Sequence, residues 1–169
     1  MSDSINLINI EEQFIKNLTG DLLNNALEFC KQMNNLGFVY GKRIIGGTGW
    51  IYRDEIMCWF DDIYSNHFGI RFFGAGSGFC NGNFDTFSEY KDISSELCEF
   101  VWANLANCGC KNCGTDFPGH NFTILGKDIG GLCNCPLYFE NFNAEDVIKF
   151  TTLARIWTKC IDIIKDAVV

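Results

Sequence analysis

Five cysteines fall between Cys108 and Cys135, in a stretch rich in glycine and asparagine. Such a segment is poorly suited to bury them as ordinary core thiols, so their spacing constrains what the chain can become. Cys110-Lys111-Asn112-Cys113-Gly114 has the form of a metal knuckle. Two residues between the thiolates let both sulfurs reach one ion, and the following glycine permits the tight turn that aims backbone N–H groups at sulfur. A second pair, Cys133 and Cys135, follows a predicted hairpin. Strands are expected over 121–125 and 128–133, with Gly126-Lys127 as a type II′ loop in which glycine supplies the positive φ. Residue 125 then faces 128, His120 faces Cys133, and Cys135 shares a strand face with Cys133. A tetrahedral site from Cys110, Cys113, Cys133 and one of Cys108 or Cys135 follows, with His120 as a substitute ligand. Zinc is the expected ion, and an iron–sulfur cluster is the alternative that would also accept four thiolates. A thioredoxin-like redox pair fits less well, because this CxxC follows a helix end rather than opening a helix after a strand. Cys30, Cys98 and Cys160 fall in predicted helices far from the block and are excluded from the ligand set.

The redox setting supports the same reading. The opening MSDSINLINIEEQF lacks a basic region followed by an apolar run, and no apolar stretch reaches the roughly 20 residues a membrane-spanning helix needs. The expected location is the cytoplasm, where the chain's ten cysteines would stay reduced or hold metal. The formal charge of −8 and the scattering of the 13 lysines and arginines argue against nucleic acid as a partner.

A length of 169 residues with 47% hydrophobic and 20% charged side chains suits one folded domain. The N-terminus reads as helical, with Asn9 and Glu12 as a capping pair. A second helix starts at Asp21 and stops at Gly37, with Leu23, Ala26, Leu27, Cys30 and Met33 on one face. Residues 38–79 read as antiparallel strands: 50–53 and 56–61 around an Asp54-Glu55 loop, then 67–73 after a turn at Ser65-Asn66. Helix returns over 93–105, capped by Asp92 or Ser94. A short strand over 137–140 precedes Asn143, the cap of a last helix carrying Val147, Phe150, Ala154, Trp157, Ile161 and Ile164. The expected fold is a single α+β domain over 1–169. Its sheet is mostly antiparallel, a meander plus a C-terminal hairpin, with helices packed on one face and the cysteine knuckle between helix and hairpin.

Other constellations carry less. Gly74-Ala75-Gly76-Ser77-Gly78-Phe79-Cys80 misses both G-x-G-x-x-G and G-x-S-x-G, and it reads as a glycine-rich bend. Cys80 with His67 is a conceivable nucleophile pair that no spacing favours. Asp54-Glu55 and Asp61-Asp62 read as solvated turn residues. Aromatic residues make up 15% of the chain. In the expected register Trp50 faces Trp59 and Tyr52 faces Met57, so all four share one sheet face. That face is a core under the helices, or else an aromatic ligand pocket of Trp50, Tyr52 and Trp59 with Arg53 or Arg71 at its edge.

The run Cys113 … Pro118-Gly119 … Thr123-Ile124-Leu125-Gly126-Lys127-Asp128 … Cys133, followed by an aromatic strand and an Asn-Ala-Glu helix start, resembles a family of uncharacterised small cytoplasmic proteins from anaerobic low-GC Gram-positive bacteria. The likeness covers about the last third of the chain and implies no activity. The helix–meander–helix order resembles YdhG- and YjbR-like domains in fold alone. The expected function is a noncatalytic binding domain with a structural zinc site, its partner a small molecule or protein. The alternative is an enzyme or redox protein that uses an iron–sulfur cluster or a reactive cysteine.

Overall fold

A computed structural model describes residues 5–43, 48–72, 93–107 and 119–167, without the side chains of 43, 61, 62, 72, 106, 107, 120 and 133–136. The fold is α+β: four helices and a mostly antiparallel sheet among the described residues. The strands are β1 (Ile5–Leu7), β2 (Val39–Arg43), β3 (Thr48–Tyr52), β4 (Glu55–Tyr64), β5 (His67–Phe72), β6 (Leu105–Asn107), β7 (His120–Ile124) and β8 (Lys127–Glu140). The helices are α1 (Ile10–Asn17), α2 (Gly20–Asn35), α3 (Ser95–Ala103) and α4 (Ala144–Asp166). The chain divides into two compact units, one of residues 1–70 and 139–169 and one of residues 71–138.

In the first unit β1 to β5 lie side by side in chain order, β1, β2, β3 and β4 pairing antiparallel. The β3–β4 turn is Arg53-Asp54, both with positive φ (47° and 69°), so Tyr52 faces Glu55 and Ile51 faces Ile56. This corrects the expected Asp54-Glu55 loop. A two-residue hairpin turn with left-handed backbone at both positions matches the strand twist, and Asp accepts that conformation. A bulge then brings Trp50 opposite Cys58, not Trp59. Asp61 and Asp62 lie inside β4 rather than at a turn.

Helices α1, α2 and α4 cover one face of these strands. Phe14 of α1 meets Phe60 and Phe68, Phe29 of α2 meets Trp50 and Phe60, and Trp157 of α4 stacks on Phe38 at 5.8 Å. Phe29 also meets Phe142 and Phe150, mostly edge to face, and all these rings except Phe60 are fully buried. Local signals set the helix ends. Asn143 and Asp146 form a reciprocal capping box at α4, and Ser94 accepts from the Leu97 N–H at α3. Gly37, at φ 86°, follows α2. Asn9 precedes α1, but its side-chain amide donates to Glu12 at 2.8 Å instead of capping a backbone N–H. Helix α2 starts at Gly20 after Thr19, one residue before the expected cap.

In the second unit β8 is a single 14-residue strand, where a separate short strand over 137–140 was expected. It pairs with β6 and with β7. Trp102 of α3 donates its indole N–H to the Ile124 carbonyl at 2.9 Å, and the Lys127 ammonium sits 4.7 Å from its ring centroid.

Candidate functional site

The β7–β8 turn is Leu125-Gly126, with φ of 49° and 76°, and not Gly126-Lys127. Ile124 therefore faces Lys127, and Thr123 faces Asp128, their side chains bonded at 2.6 Å. The reason is again strand twist: two positive φ angles in succession suit it, and glycine at the second position lowers the cost of Leu125 at the first. An irregularity between His120 and Phe122 shifts the register back by one, and His120 faces Leu132 instead of Cys133. Gly131, at φ 78°, stands at that shift. Gly119, at φ 82°, approaches it so closely that a Cβ on Gly119 would overlap the Gly131 backbone.

Strand β6, which sequence reasoning missed, reaches the same point. Its last residue, Asn107, pairs with Leu132, as His120 does from β7. Leu132 is thus held on both edges, one residue before Cys133. The link between Asn107 and His120 carries Cys108, Cys110 and Cys113, and these three lie outside the described residues. Its two ends stand one strand to either side of β8, roughly 10 Å apart. Cys133 and Cys135 lie on β8, and His120 opens β7. Among residues whose side chains are described, no group of three His, Cys, Asp or Glu could hold a metal ion.

The expected aromatic pocket does not assemble. Trp50 and Tyr52 share the helix-covered face with Cys58 and Phe60, whereas Trp59, between those two, lies on the other face. The cause is the bulge: the earlier turn shifts each partner by two and keeps the faces, and the extra residue opposite β3 then moves Trp59 to the other one. The Tyr52 ring packs on Phe38 at 5.3 Å, and its hydroxyl donates to the Asp162 carboxylate at 2.9 Å. Burial and that carboxylate push the Tyr52 phenol up. Arg53 pairs with Asp162 and Asp166, each at 2.9 Å. Arg71 belongs to the second unit, where it lies 4.6 Å over the Tyr138 ring. Tyr52, Arg53 and Arg71 thus each engage protein partners.

Trp50 does border a different cavity, of about 260 Å³, beside β1 and the start of α1. Its ring is held by Tyr40 at 5.4 Å and Phe29 at 5.9 Å. The residue is 1% exposed, and its indole nitrogen is buried without a hydrogen-bond partner. An orphaned buried donor costs roughly 1–3 kcal/mol. Burial holds Tyr40, Cys30 and Cys58 neutral. Burial pushes the Tyr40 phenol up to about 12 and the Cys30 thiol well above its ordinary range, with Glu11 adding to the second. Cys58, fully buried, is pushed up by desolvation and then by Cys30. Both thiols are protonated and poor nucleophiles at neutral pH. Sequence reasoning missed this cavity because one wall needs β1, and Ile5-Asn6-Leu7 is a three-residue alternation too short to announce a strand.

A larger groove of about 380 Å³ runs between α2 and α4. Its polar groups are mostly engaged locally. Asn25 donates to the Phe142 carbonyl, Gln32 to Glu28, and Thr151 and Thr152 to backbone carbonyls of their own helix. His67 lies against Tyr64, with Nδ1 3.3 Å from the Asn141 amide, and Cys80 lies outside the described residues. Among the described residues no helix is long and apolar enough to cross a membrane. Comparison with protein-family models, curated proteins and solved structures finds no match.

Proposed function

We propose that the chain is a noncatalytic binding domain whose segment 108–135 is held by a structural zinc ion. The observation that carries this reading is the convergence on Leu132. Asn107 and His120 both pair with that residue, so the link bearing Cys108, Cys110 and Cys113 leaves and returns beside the strand that bears Cys133 and Cys135. Four thiolates drawn from one such crossing suit tetrahedral zinc. Cys110 and Cys113 are the firmest ligands, because a CxxC followed by glycine can present both in one turn. Cys133 is third, and Cys108 or Cys135 is fourth. His120 stays the substitute donor, at the mouth of the hairpin. Such an ion would fix the link against the sheet and add its binding energy to folding. Cys30 and Cys58, held protonated by burial, do not serve as reactive thiols. The bound partner in this reading is a small molecule or a protein.

The test is metal analysis of protein purified without oxygen, with its visible spectrum. One zinc per chain and no visible absorption are expected, with loss of metal in Cys110→Ser and Cys113→Ser. Iron with visible absorption would replace zinc by a cluster. Equal metal content in both variants and the wild-type protein would overturn the site.

A further inference from the structure

We infer that the protein pairs with a second copy of itself through the outer stripe of α4, the two helices lying antiparallel about a two-fold axis. This goes beyond the binding-domain reading and does not depend on it. The stripe consists of Glu145, Ile148, Thr152 and Arg155, a spacing of three, four and three residues that sets side chains in one line on a helix. Phe150 fixes which way that line faces. Its ring is fully buried against Phe29, Phe139 and Phe142. At about 100° of helix rotation per residue, all four members of the stripe point within about 40° of the direction opposite Phe150. They are also placed symmetrically about it in sequence, Ile148 mirroring Thr152 and Glu145 mirroring Arg155. With the axis crossing α4 at Phe150, Glu145 of one copy therefore meets Arg155 of the other, and Ile148 meets Thr152, each pair occurring twice.

The exposed chemistry suits that pairing. Ile148 is a large apolar side chain left 67% exposed. With Thr152 and Arg155 it forms part of the α4 wall of the groove against α2, so an approaching helix covers that groove as well. Thr151 and Thr152 donate their hydroxyls to carbonyls of their own helix, so an isoleucine can cover their methyl groups without stranding a donor. The charges match too. Arg53 is held by Asp162 and Asp166, and Arg71 lies over Tyr138, but among the described residues no hydrogen bond or ion pair engages the Arg155 guanidinium. Lys149 holds one oxygen of Glu145, whose side chain is still 68% exposed and can accept a guanidinium at the other. Competing arrangements of the same stripe bring like charges together. A parallel pair sets Glu145 against Glu145 and Arg155 against Arg155. An antiparallel pair centred on Thr152 brings Arg155 toward Lys149, and one that joins Ile148 to Ile163 brings Glu145 toward Asp166. Charge thus selects the register centred on Phe150.

The experiment is sedimentation equilibrium of the full chain in reducing buffer, over a range of protein concentrations, with circular dichroism as the check on folding. A micromolar dimer is expected, because one helix face per copy makes a small contact. Ile148→Asp, at an exposed position, is expected to leave a folded monomer. Arg155→Glu and Glu145→Arg are each expected to weaken association roughly tenfold, and Glu145→Arg/Arg155→Glu together to restore it to within about threefold of wild type. No contact inside one chain can produce that rescue, since the helix holds the two positions about 15 Å apart. A monomer at every concentration overturns the inference, as does a dimer that survives Ile148→Asp or a double variant no better than the single ones. Zinc is measured on the same samples. A monomer carrying full zinc would sink this inference alone, and a dimer dissociated by Ile148→Asp but holding no metal would sink the zinc reading alone.

Discussion

Raising the pH should destabilise this protein through two thiols. Cys30 and Cys58 are both fully buried, and desolvation pushes both thiols well above their ordinary range. In the unfolded chain a cysteine ionises near pH 8.5. Below that value both states hold the proton, and the thiols make no difference to stability. Above it the unfolded state loses protons that the folded state keeps. Stability then falls with rising pH, by about 1.4 kcal/mol per unit for each thiol, until the folded pKa is reached. From pH 7.5 to pH 10 this amounts to about 2 kcal/mol per thiol and about 4 kcal/mol for the pair. Tyr40, pushed up to about 12, adds to the loss only above about pH 10, where an unfolded tyrosine begins to ionise. The assay is urea unfolding across that range under reducing conditions, comparing wild type with Cys30→Ala/Cys58→Ala. Contributions common to both proteins cancel in the difference, those of the proposed metal site included. The variant should start less stable at pH 7.5, having lost packed sulfur, and the two curves should converge or cross by pH 10. Parallel curves would refute the reasoning.

Phe29→Ala should cost about 3–5 kcal/mol in chemical unfolding, because a fully buried ring that meets Trp50, Phe60, Phe142 and Phe150 leaves a cavity none of them can fill. A loss under about 1 kcal/mol would mean that α2 does not seat on the sheet this way. Asn143→Ala should cost about 1 kcal/mol by the same assay, since it removes the side-chain acceptor from the capping box at α4, and Asn143→Asp should recover most of it. Equal losses in the two variants would show that capping is not what Asn143 contributes.

Helix ends were legible where one residue type decides them. Asn143, Ser94 and Gly37 act as their chemistry predicts, and the stripe from Val147 to Ile161 faces the core. The α+β class followed from the same periodicities. Hairpin registers were not legible, for a common physical reason. Arg53-Asp54 and Leu125-Gly126 each place a residue of modest left-handed preference first, so scanning for the best turn dipeptide moves each loop one residue too late. Moving a two-residue loop by one residue shifts every partner by two and keeps the faces, so it is the bulge beside Trp50 that puts Trp59 on the face opposite Trp50 and Tyr52. The bulges beside Trp50 and near Gly131 leave no mark in hydrophobic periodicity, and three-residue strands such as β1 and β6 are too short to show any.

The observed hairpin register keeps His120 within one residue of Cys133, and the reason is geometric. A loop one residue earlier would carry His120 two positions away from Cys133, but the shift near Gly131 returns one of them and leaves His120 opposite Leu132. Asn107 adds a second anchor at the same residue. What the ion would contribute also differs between the two units. The first has an aromatic core running from Phe14 to Trp157, which holds three helices on the sheet without help from a metal. The second, residues 71–138, is of a size at which a core alone supplies roughly 3–5 kcal/mol. A structural zinc ion can contribute about 10–16 kcal/mol of apparent binding energy at neutral pH, part of it spent ordering the ligands. An ion at the Leu132 crossing would therefore govern the stability of the second unit and matter little to the first. On that ground the proposed site would be structural in character: its energy would go into fixing a link that leaves and rejoins the sheet at one point.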